Sequence, residues 1–172
     1  WVCGSIAEDI IGTAQASSEQ TQEARVEHPA TPLTSLVRRW GGCALNVCVG
    51  LGQLGVPAVP VATVGRDYTA GLRGYLQSLG ISEVGIHLDA SYPRQATGIM
   101  IGSPQRVQRT YFHAGPSDSV DHPRLAALPH VQTAAWVLVA PIAPATALQH
   151  LRDAEVLGIR TMFDPGQCLS RF

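Results

Sequence analysis

Residues 41–55 read GGCALNVCVGLGQLG, and this stretch decides the fold. Its two leading glycines precede an apolar run whose last leucine is followed by another glycine, which predicts a helix over residues 43–54. This helix is apolar nearly all round, so we expect it to be buried and not to lie at the surface. Gly41 and Gly42 lack β-carbons, so the backbone there can approach a bound molecule closely. The free amides at the helix start can face hydroxyls or an anion, and Asn46 adds a side-chain donor and acceptor. On these residues alone, a tight loop beside a satisfied polar side chain is an equal alternative.

The composition is that of a globular protein whose partner is a small molecule. The chain has 172 residues, is 45% hydrophobic, and carries a net charge of -1 from 12 basic and 13 acidic residues. This length and apolar content suffice for the core of one domain. A nearly neutral chain lacks the basic surface that nucleic acids or anionic membranes attract, so we expect neither partner. The longest apolar stretch, residues 134–145, contains two prolines and is far shorter than the roughly 20 residues that span a bilayer.

The cysteines and histidines favour a cytoplasmic protein without a metal site. Cys3, Cys43, Cys48 and Cys168 form no Cys-x-x-Cys pair, as expected of reduced thiols. The six histidines are scattered without the spacing of metal ligands. Cys43 at a helix start is either a nucleophile with a lowered pKa or a buried inert thiol, and the absence of an indicated histidine partner favours the second.

Apolar segments and helical patterns alternate along the chain. An apolar first strand leads into a polar loop at Ala7-Glu8-Asp9, and residues 14–32 are predicted to be a solvated loop or a partly disordered insertion. Continuous apolar strands separated by helices predict an α/β fold, a doubly wound and mostly parallel sheet covered on both faces. A hairpin across residues 102–105 adds a small antiparallel element. Further strands are predicted at residues 62–64, 84–88, 97–101, 108–112, 136–140 and 159–163, the last two of them buried, and further helices at 68–79 and 145–157.

Three polar features follow predicted strands, where ligands of such sheets collect. They are Asp9, the turn at residues 65–67 and the segment at residues 164–166. Several motifs jointly resemble the N-terminal half of the phosphofructokinase-B (PfkB) or ribokinase family of sugar and nucleoside kinases. The residues of these motifs are most similar to those of members resembling bacterial adenosine kinase. The motifs are GSIAED at 4–9, the glycine pair with Asn46, VGRD at 64–67, LGI at 79–81, Thr97-Gly98, residues 112–115 and FDPGQ at 163–167.

The resemblance implies that residues 1–172 are the N-terminal portion of a ribokinase-like domain whose C-terminal part is absent. A small antiparallel β lid would be built from elements around 10–40 and 96–113. The implied activity is phosphoryl transfer from ATP to a hydroxyl of a sugar or nucleoside, with Mg²⁺ and in some members a monovalent cation. The family's catalytic aspartate lies in a Gly-Ala-Gly-Asp motif of the C-terminal half. We therefore expect no catalytic residue in this chain and no activity from it alone; by analogy, the lid is suited to a homodimer.

The resemblance also assigns a substrate site to Asp9, Gly41, Gly42 and Asn46. The aspartate would accept hydrogen bonds from substrate hydroxyls, the glycine backbone would close on the substrate, and the asparagine would bind another hydroxyl. An ionised carboxylate can accept two adjacent hydroxyl donors in charge-assisted hydrogen bonds. Without the resemblance, a turn or cap carboxylate is the favoured interpretation of Asp9.

Four further residues are assigned to the lid: Ile99, Met100, Tyr111 and Phe112. In the family such residues close over the substrate and exclude water, so that hydrolysis of the donor does not compete. Ordinary strand packing is the alternative for each. The turn at residues 65–67 is interpreted as structural, with Asp67 capping the next helix. Ala140-Pro141 stands where many sugar kinases carry a polar sugar contact.

Two other functions use the same features. A non-catalytic, kinase-like protein that binds a metabolite would need the same substrate site without the catalytic half. A dinucleotide-dependent enzyme would place pyrophosphate at Gly41 and Gly42. The second is disfavoured because GSIA, residues 4–7, stands where the Gly-x-Gly-x-x-Gly fingerprint would be expected.

Overall fold

A computed structural model describes residues 1–15, 32–68, 70–103, 108–119 and 121–172. Most of the polar stretch at residues 14–32 and half of the predicted hairpin turn lie outside the described residues. In chain order the strands and helices are β1 (Val2–Cys3), β2 (Ala7–Ala14), β3 (Leu33–Gly41), α1 (Cys43–Gln53), β4 (Pro60–Val64), α2 (Ala70–Ser78), β5 (Ile86–Leu88), β6 (Ala96–Gly102), β7 (Gln108–His113), β8 (Trp136–Val139), α3 (Pro144–Val156) and β9 (Arg160–Phe163). Short 3-10 helices cover residues 115–118, 125–127, 131–133 and 166–171.

The main sheet has five parallel strands in the order β5-β4-β1-β8-β9. Its short central strand β1 sends successive side chains to opposite faces, because the side-chain period of a strand is two. Val2 joins the core under α1 and α2, whereas Cys3 joins the core under α3 and the 3-10 helices. Both faces are therefore covered, and the predicted α/β, doubly wound architecture is confirmed.

A second sheet of the described residues has four strands in the order β3-β2-β6-β7, and we call it the lid sheet after its predicted role. β2 and β3 are antiparallel, as are β6 and β7, but the central pair β2 and β6 is parallel. The lid sheet is thus mixed, not purely antiparallel as expected. Pairing brings Asp9 opposite Arg39 on one side and opposite Gly98 on the other. The chain enters the lid sheet directly from β1 through residues 4–6.

Three further expectations need correction. Asp9 lies within β2 and not in a loop, because β3 and β6 pair with both edges of this polar segment. β9 is an edge strand and not a buried one: Met162 is 48% exposed, since β8 is its single strand partner among the described residues. The helix predicted at 43–54 is buried on one side only, at Ala44, Leu45 and Cys48.

An open apolar groove of about 580 Å³ runs beside the other side of α1. Val47 and Leu51 of α1 and Leu138 and Met162 of the sheet are among its lining residues. The side chains that made this helix look buried in the sequence therefore line a groove instead of a closed core.

Candidate substrate site

The Asp9 carboxylate lies over two strand positions that have no side chain. Its neighbours are Gly41, at the end of β3, and Gly98, directly opposite on β6. A β-carbon built on Gly98 would come within 2.6 Å of Asp9 Oδ1, and one built on Gly41 would overlap Oδ2. Glycine at both positions is therefore what allows the carboxylate to occupy this place.

Asp9 is partly buried but has no protein partner for its charge in the described part of the chain. No donor among these residues hydrogen bonds to the carboxylate, although it lies one position from the ion pair between Glu8 and Arg38 at 3.0 Å. Burial raises the pKa of Asp9 above its ordinary value. A carboxylate removed from water without compensating donors is unfavourable, so donors from a ligand would be bound strongly here.

Gly42 connects this carboxylate to α1. Its φ of 92° lies in the left-handed region, and a β-carbon there would lie 2.6 Å from the Ser5 carbonyl oxygen. A residue with a side chain would be strained and would clash, so the helix can start here only from glycine. The helix then has regular geometry, and the backbone N–H of Asn46 donates to the Gly42 carbonyl at 2.9 Å.

Asn46 lies one turn into α1 and is exposed. Its side chain forms no hydrogen bond to any described residue, which leaves its amide group available to a ligand. The glycine pair thus joins the two predicted polar groups: Gly41 lies against the Asp9 carboxylate and Gly42 begins the helix that carries Asn46.

The lid residues divide between the two faces of the lid sheet. Strand pairing places Gly98, Met100 and Phe112 on the face that carries Asp9, and Met100 Cε lies 3.9 Å from the β-carbon position of Gly98. Ile99 and Tyr111 point to the opposite face, because neighbouring residues of a strand alternate. All four belong to the lid sheet, but only Met100 and Phe112 share the Asp9 face.

Known structures give the same arrangement of strands and helices. No protein-family model matches the chain, and no relative is found among curated proteins. The nucleoside kinase of Burkholderia thailandensis in complex with inosine superposes with a TM-score of 0.83 at 24% identity, over 99% of this chain and 53% of that one. The nucleoside kinase of Methanocaldococcus jannaschii, a ribokinase-family member, superposes with a TM-score of 0.77 at 24% identity, over 99% of this chain and 53% of that one. Ribokinase from Cryptococcus neoformans in complex with ADP superposes with a TM-score of 0.74 at 17% identity, over 96% of this chain and 50% of that one.

The chain has the ribokinase fold. The resemblance drawn from the motifs is therefore confirmed at the level of the fold, and the chain spans about half the length of these structures. Within the described residues, no helix is long and apolar enough to cross a membrane.

Cys43, the first residue of α1 in this ribokinase fold, is partly buried. Burial raises the pKa of its thiol, an effect that the Ser5 hydroxyl opposes and that Asp164, Cys168 and Asp9 add to. A thiol of this kind is a poor nucleophile at neutral pH. The structure thus supports the inert interpretation of Cys43.

The turn at residues 65–67 holds the base of the lid sheet in place. The Asp67 carboxylate accepts a hydrogen bond from the backbone N–H of Gln95, just before β6, at 2.8 Å. The backbone N–H of Arg66 donates to the Tyr92 carbonyl at 2.9 Å. Asp67 thus contacts the lid sheet; its expected role as a cap of the following helix stays a prediction, because residue 69 at the start of that helix lies outside the described residues. At the other strand end, Asp164 Oδ1 accepts the Gly166 amide at 2.8 Å.

Two residues of the site were not identified from the sequence. Gly98 belongs to a motif of the resemblance, but its importance follows from its pairing with Asp9, which no local pattern reveals. Ser5 hydrogen bonds to the start of α1 from the end of β1. Its place in the GSIAED motif was the one available signal.

Proposed function

We propose that this chain is the substrate-binding portion of an ATP-dependent kinase that phosphorylates a hydroxyl of a sugar or nucleoside. The observation that carries the proposal is the Asp9 carboxylate, partly buried between Gly41 and Gly98 and without a donor among the described residues. The ribokinase fold supports it, since structures with this fold include a nucleoside kinase with inosine and a ribokinase with ADP.

In this proposal the described residues bind and orient the acceptor. Asp9 accepts hydrogen bonds from two adjacent hydroxyls, the backbone at Gly41 and Gly42 contacts the ring, and Asn46 binds a further hydroxyl. Catalysis of phosphoryl transfer depends mostly on positioning and charge stabilisation, so a fixed acceptor is a large part of the mechanism. The general base and most nucleotide contacts are assigned to sequence outside this chain.

The lid sheet closes over the acceptor in this proposal. Met100 and Phe112 share the Asp9 face and would exclude water from it. The opposite face bears exposed apolar side chains, including Leu36, Ile99 and Tyr111. That face is suited to a second copy of the chain, so the proposed homodimer would form through it.

ATP and Mg²⁺ are the proposed cofactors of the complete enzyme, with a monovalent cation as an optional activator and the cytoplasm as its location. The described residues contain no group of three or more His, Cys, Asp or Glu side chains arranged around a metal. We therefore assign no Mg²⁺ ligand to them.

A non-catalytic metabolite-binding protein is the second candidate, because the same unpaired carboxylate would serve it equally well. The downstream coding sequence separates the two. A Gly-rich motif with an aspartate supports the kinase, and a stop codon after Phe172 supports the binding protein.

A thermal-shift screen tests the proposal. The chain is heated with inosine, ribose or fructose, each with and without Mg-ATP, beside the Asp9→Asn variant. A ligand at 100 times its Kd stabilises by about 2.7 kcal/mol, which raises the melting temperature by several degrees. We expect at least one polyol to stabilise the wild-type chain and not the variant. Equal responses of the two proteins to every polyol would contradict the proposal.

A further inference from the structure

The first turn of α1 has no cap of its own. The first amides of any helix lack acceptors within it and usually receive one from the side chain of the N-cap residue. Here the N-cap is Gly42, which has no side chain to offer. The amides of Cys43 and Ala44 must therefore find acceptors elsewhere.

Ser5, in the segment between β1 and β2, supplies both acceptors. Its Oγ accepts the Cys43 amide at 3.1 Å, and its carbonyl oxygen accepts the Ala44 amide at 3.0 Å. Ser5 is only 3% exposed, so water does not compete freely for these amides. One residue therefore caps the helix from a distant part of the chain.

The position of Ser5 gives this cap a consequence for the site. Ser5 lies between β1 and β2, four residues before Asp9, while Gly42 fits against the Ser5 carbonyl and the Ala7 amide. The segment that leads to Asp9 and the helix that carries Asn46 are thus joined at Ser5. We infer that Ser5 is a positioning residue, which fixes the start of α1 relative to Asp9 and so sets affinity for the acceptor; this inference rests on the proposed function.

Removal of the Ser5 hydroxyl leaves the Cys43 amide without its acceptor. A buried donor without a partner is unfavourable, so the first turn of α1 would move toward water. Asp9 itself would keep its place between Gly41 and Gly98, since pairing of β2 with β3 and β6 does not involve Ser5. The expected defect is a changed spacing within the site and not a loss of the fold.

The test uses the whole chain with inosine as the probe. Three variants are compared with wild type: Ser5→Ala, Ser5→Thr, which keeps the hydroxyl, and Ser117→Ala. Ser117 is a matched control because it is 4% exposed and its hydroxyl forms no hydrogen bond to the described residues. Calorimetry gives the Kd for inosine, a thermal melt gives stability, and peptide mass spectrometry gives the rate of amide hydrogen exchange in residues 43–46, at the start of α1.

Ser5→Ala should weaken inosine binding about tenfold, the effect of one hydrogen bond, and should speed amide hydrogen exchange at the start of α1 severalfold. Ser5→Thr should stay near wild type in both, and Ser117→Ala should change neither. The inference is overturned if Ser5→Ala leaves the Kd for inosine unchanged, or if Ser5→Thr, at an unchanged melting temperature, loses as much affinity as Ser5→Ala. Failure of the proposed function is distinct: wild type would then bind none of inosine, ribose and fructose, and the exchange rates alone would support or overturn the cap.

Discussion

The carboxylate of Asp9 lies directly against the backbone of Gly41, at a place that any side chain at residue 41 would fill. Gly98 gives it the same freedom on the opposite strand. Two glycines, on the two strands that flank β2, thus leave room for one partly buried carboxylate that no described residue neutralises. We interpret this arrangement as a preformed acceptor for hydroxyl donors, with stability given up in exchange for binding.

Asp9→Asn should therefore stabilise the ligand-free chain. Because the folded-state pKa of Asp9 is raised, the charged carboxylate disfavours folding once the pH exceeds its ordinary value, and the neutral amide removes that penalty. We expect the melting temperature at pH 7 to rise by about 1–3 °C, with little difference between the proteins below pH 4. A lower melting temperature for the variant at pH 7 would show that the charge is compensated.

Gly98→Ala should weaken acceptor binding more than it lowers the free energy of unfolding. The added β-carbon would lie 2.6 Å from Asp9 Oδ1 and would push the carboxylate away from its position. Gly102→Ala is the matched control on the same strand and face, since among the described residues its β-carbon would meet only the Gly12 carbonyl, at 3.9 Å. Calorimetry with inosine should show at least a tenfold loss for Gly98→Ala, about 1.4 kcal/mol, and almost none for Gly102→Ala. Equal effects of the two substitutions on the Kd would contradict the idea that the missing side chain at Gly98 makes room for the Asp9 carboxylate.

The two aromatic residues of β7 should have separable effects. Phe112 shares the Asp9 face, whereas Tyr111 lies on the opposite face, and both are exposed. Phe112→Ala should weaken acceptor binding by about 0.5–1.5 kcal/mol, while Tyr111→Ala should leave it unchanged. Sedimentation should show the reverse pattern, with self-association lost only in Tyr111→Ala. An equal loss of binding in both variants would contradict the division of the faces.

His150 should make the fold sensitive to mild acid. Its ring, on α3, is fully buried with neither nitrogen bonded to a described residue. The ring of His122 lies 6.2 Å away, and the ion pair of Arg124 with Asp153 is nearby. Burial, together with His122, lowers the pKa of His150 to about 4. The unfolded chain therefore binds a proton more readily between about pH 6.5 and pH 4, and stability falls as the pH drops through that window.

The expected loss from His150 between pH 7 and pH 5 is about 2 kcal/mol. His150→Leu should remove that part of the loss in urea unfolding, while His113→Gln, at an exposed strand position, should retain it. An identical pH dependence in wild type and His150→Leu would contradict this account.

The elements of the main sheet could be predicted because their signals are local. The apolar run of residues 136–140 and the glycine after Leu157 mark a strand and a helix end without reference to the rest of the chain. The exposure of β9 could not be predicted in this way. Thr161 and Met162 have the composition of a buried strand, and only the strand order shows that β9 lies at the edge.

The site was predictable in its residues but not in its geometry. The motifs point to Asp9, Gly41 and Asn46, but the sequence predicts a loop at Asp9 because Glu8 and Asp9 interrupt the apolar pattern. Its strand conformation comes from long-range pairing with β3 and β6. The same pairing gives Gly98 its importance and separates Tyr111 from Phe112, and no short stretch of sequence contains that information.

The most direct test of the central claim is calorimetric titration of the chain and of Asp9→Asn with inosine under identical conditions. If the uncompensated carboxylate is the acceptor for substrate hydroxyls, the variant binds about 1.5–3 kcal/mol more weakly while its melting temperature is unchanged or higher. Inosine binding by Asp9→Asn with the wild-type Kd would contradict the account.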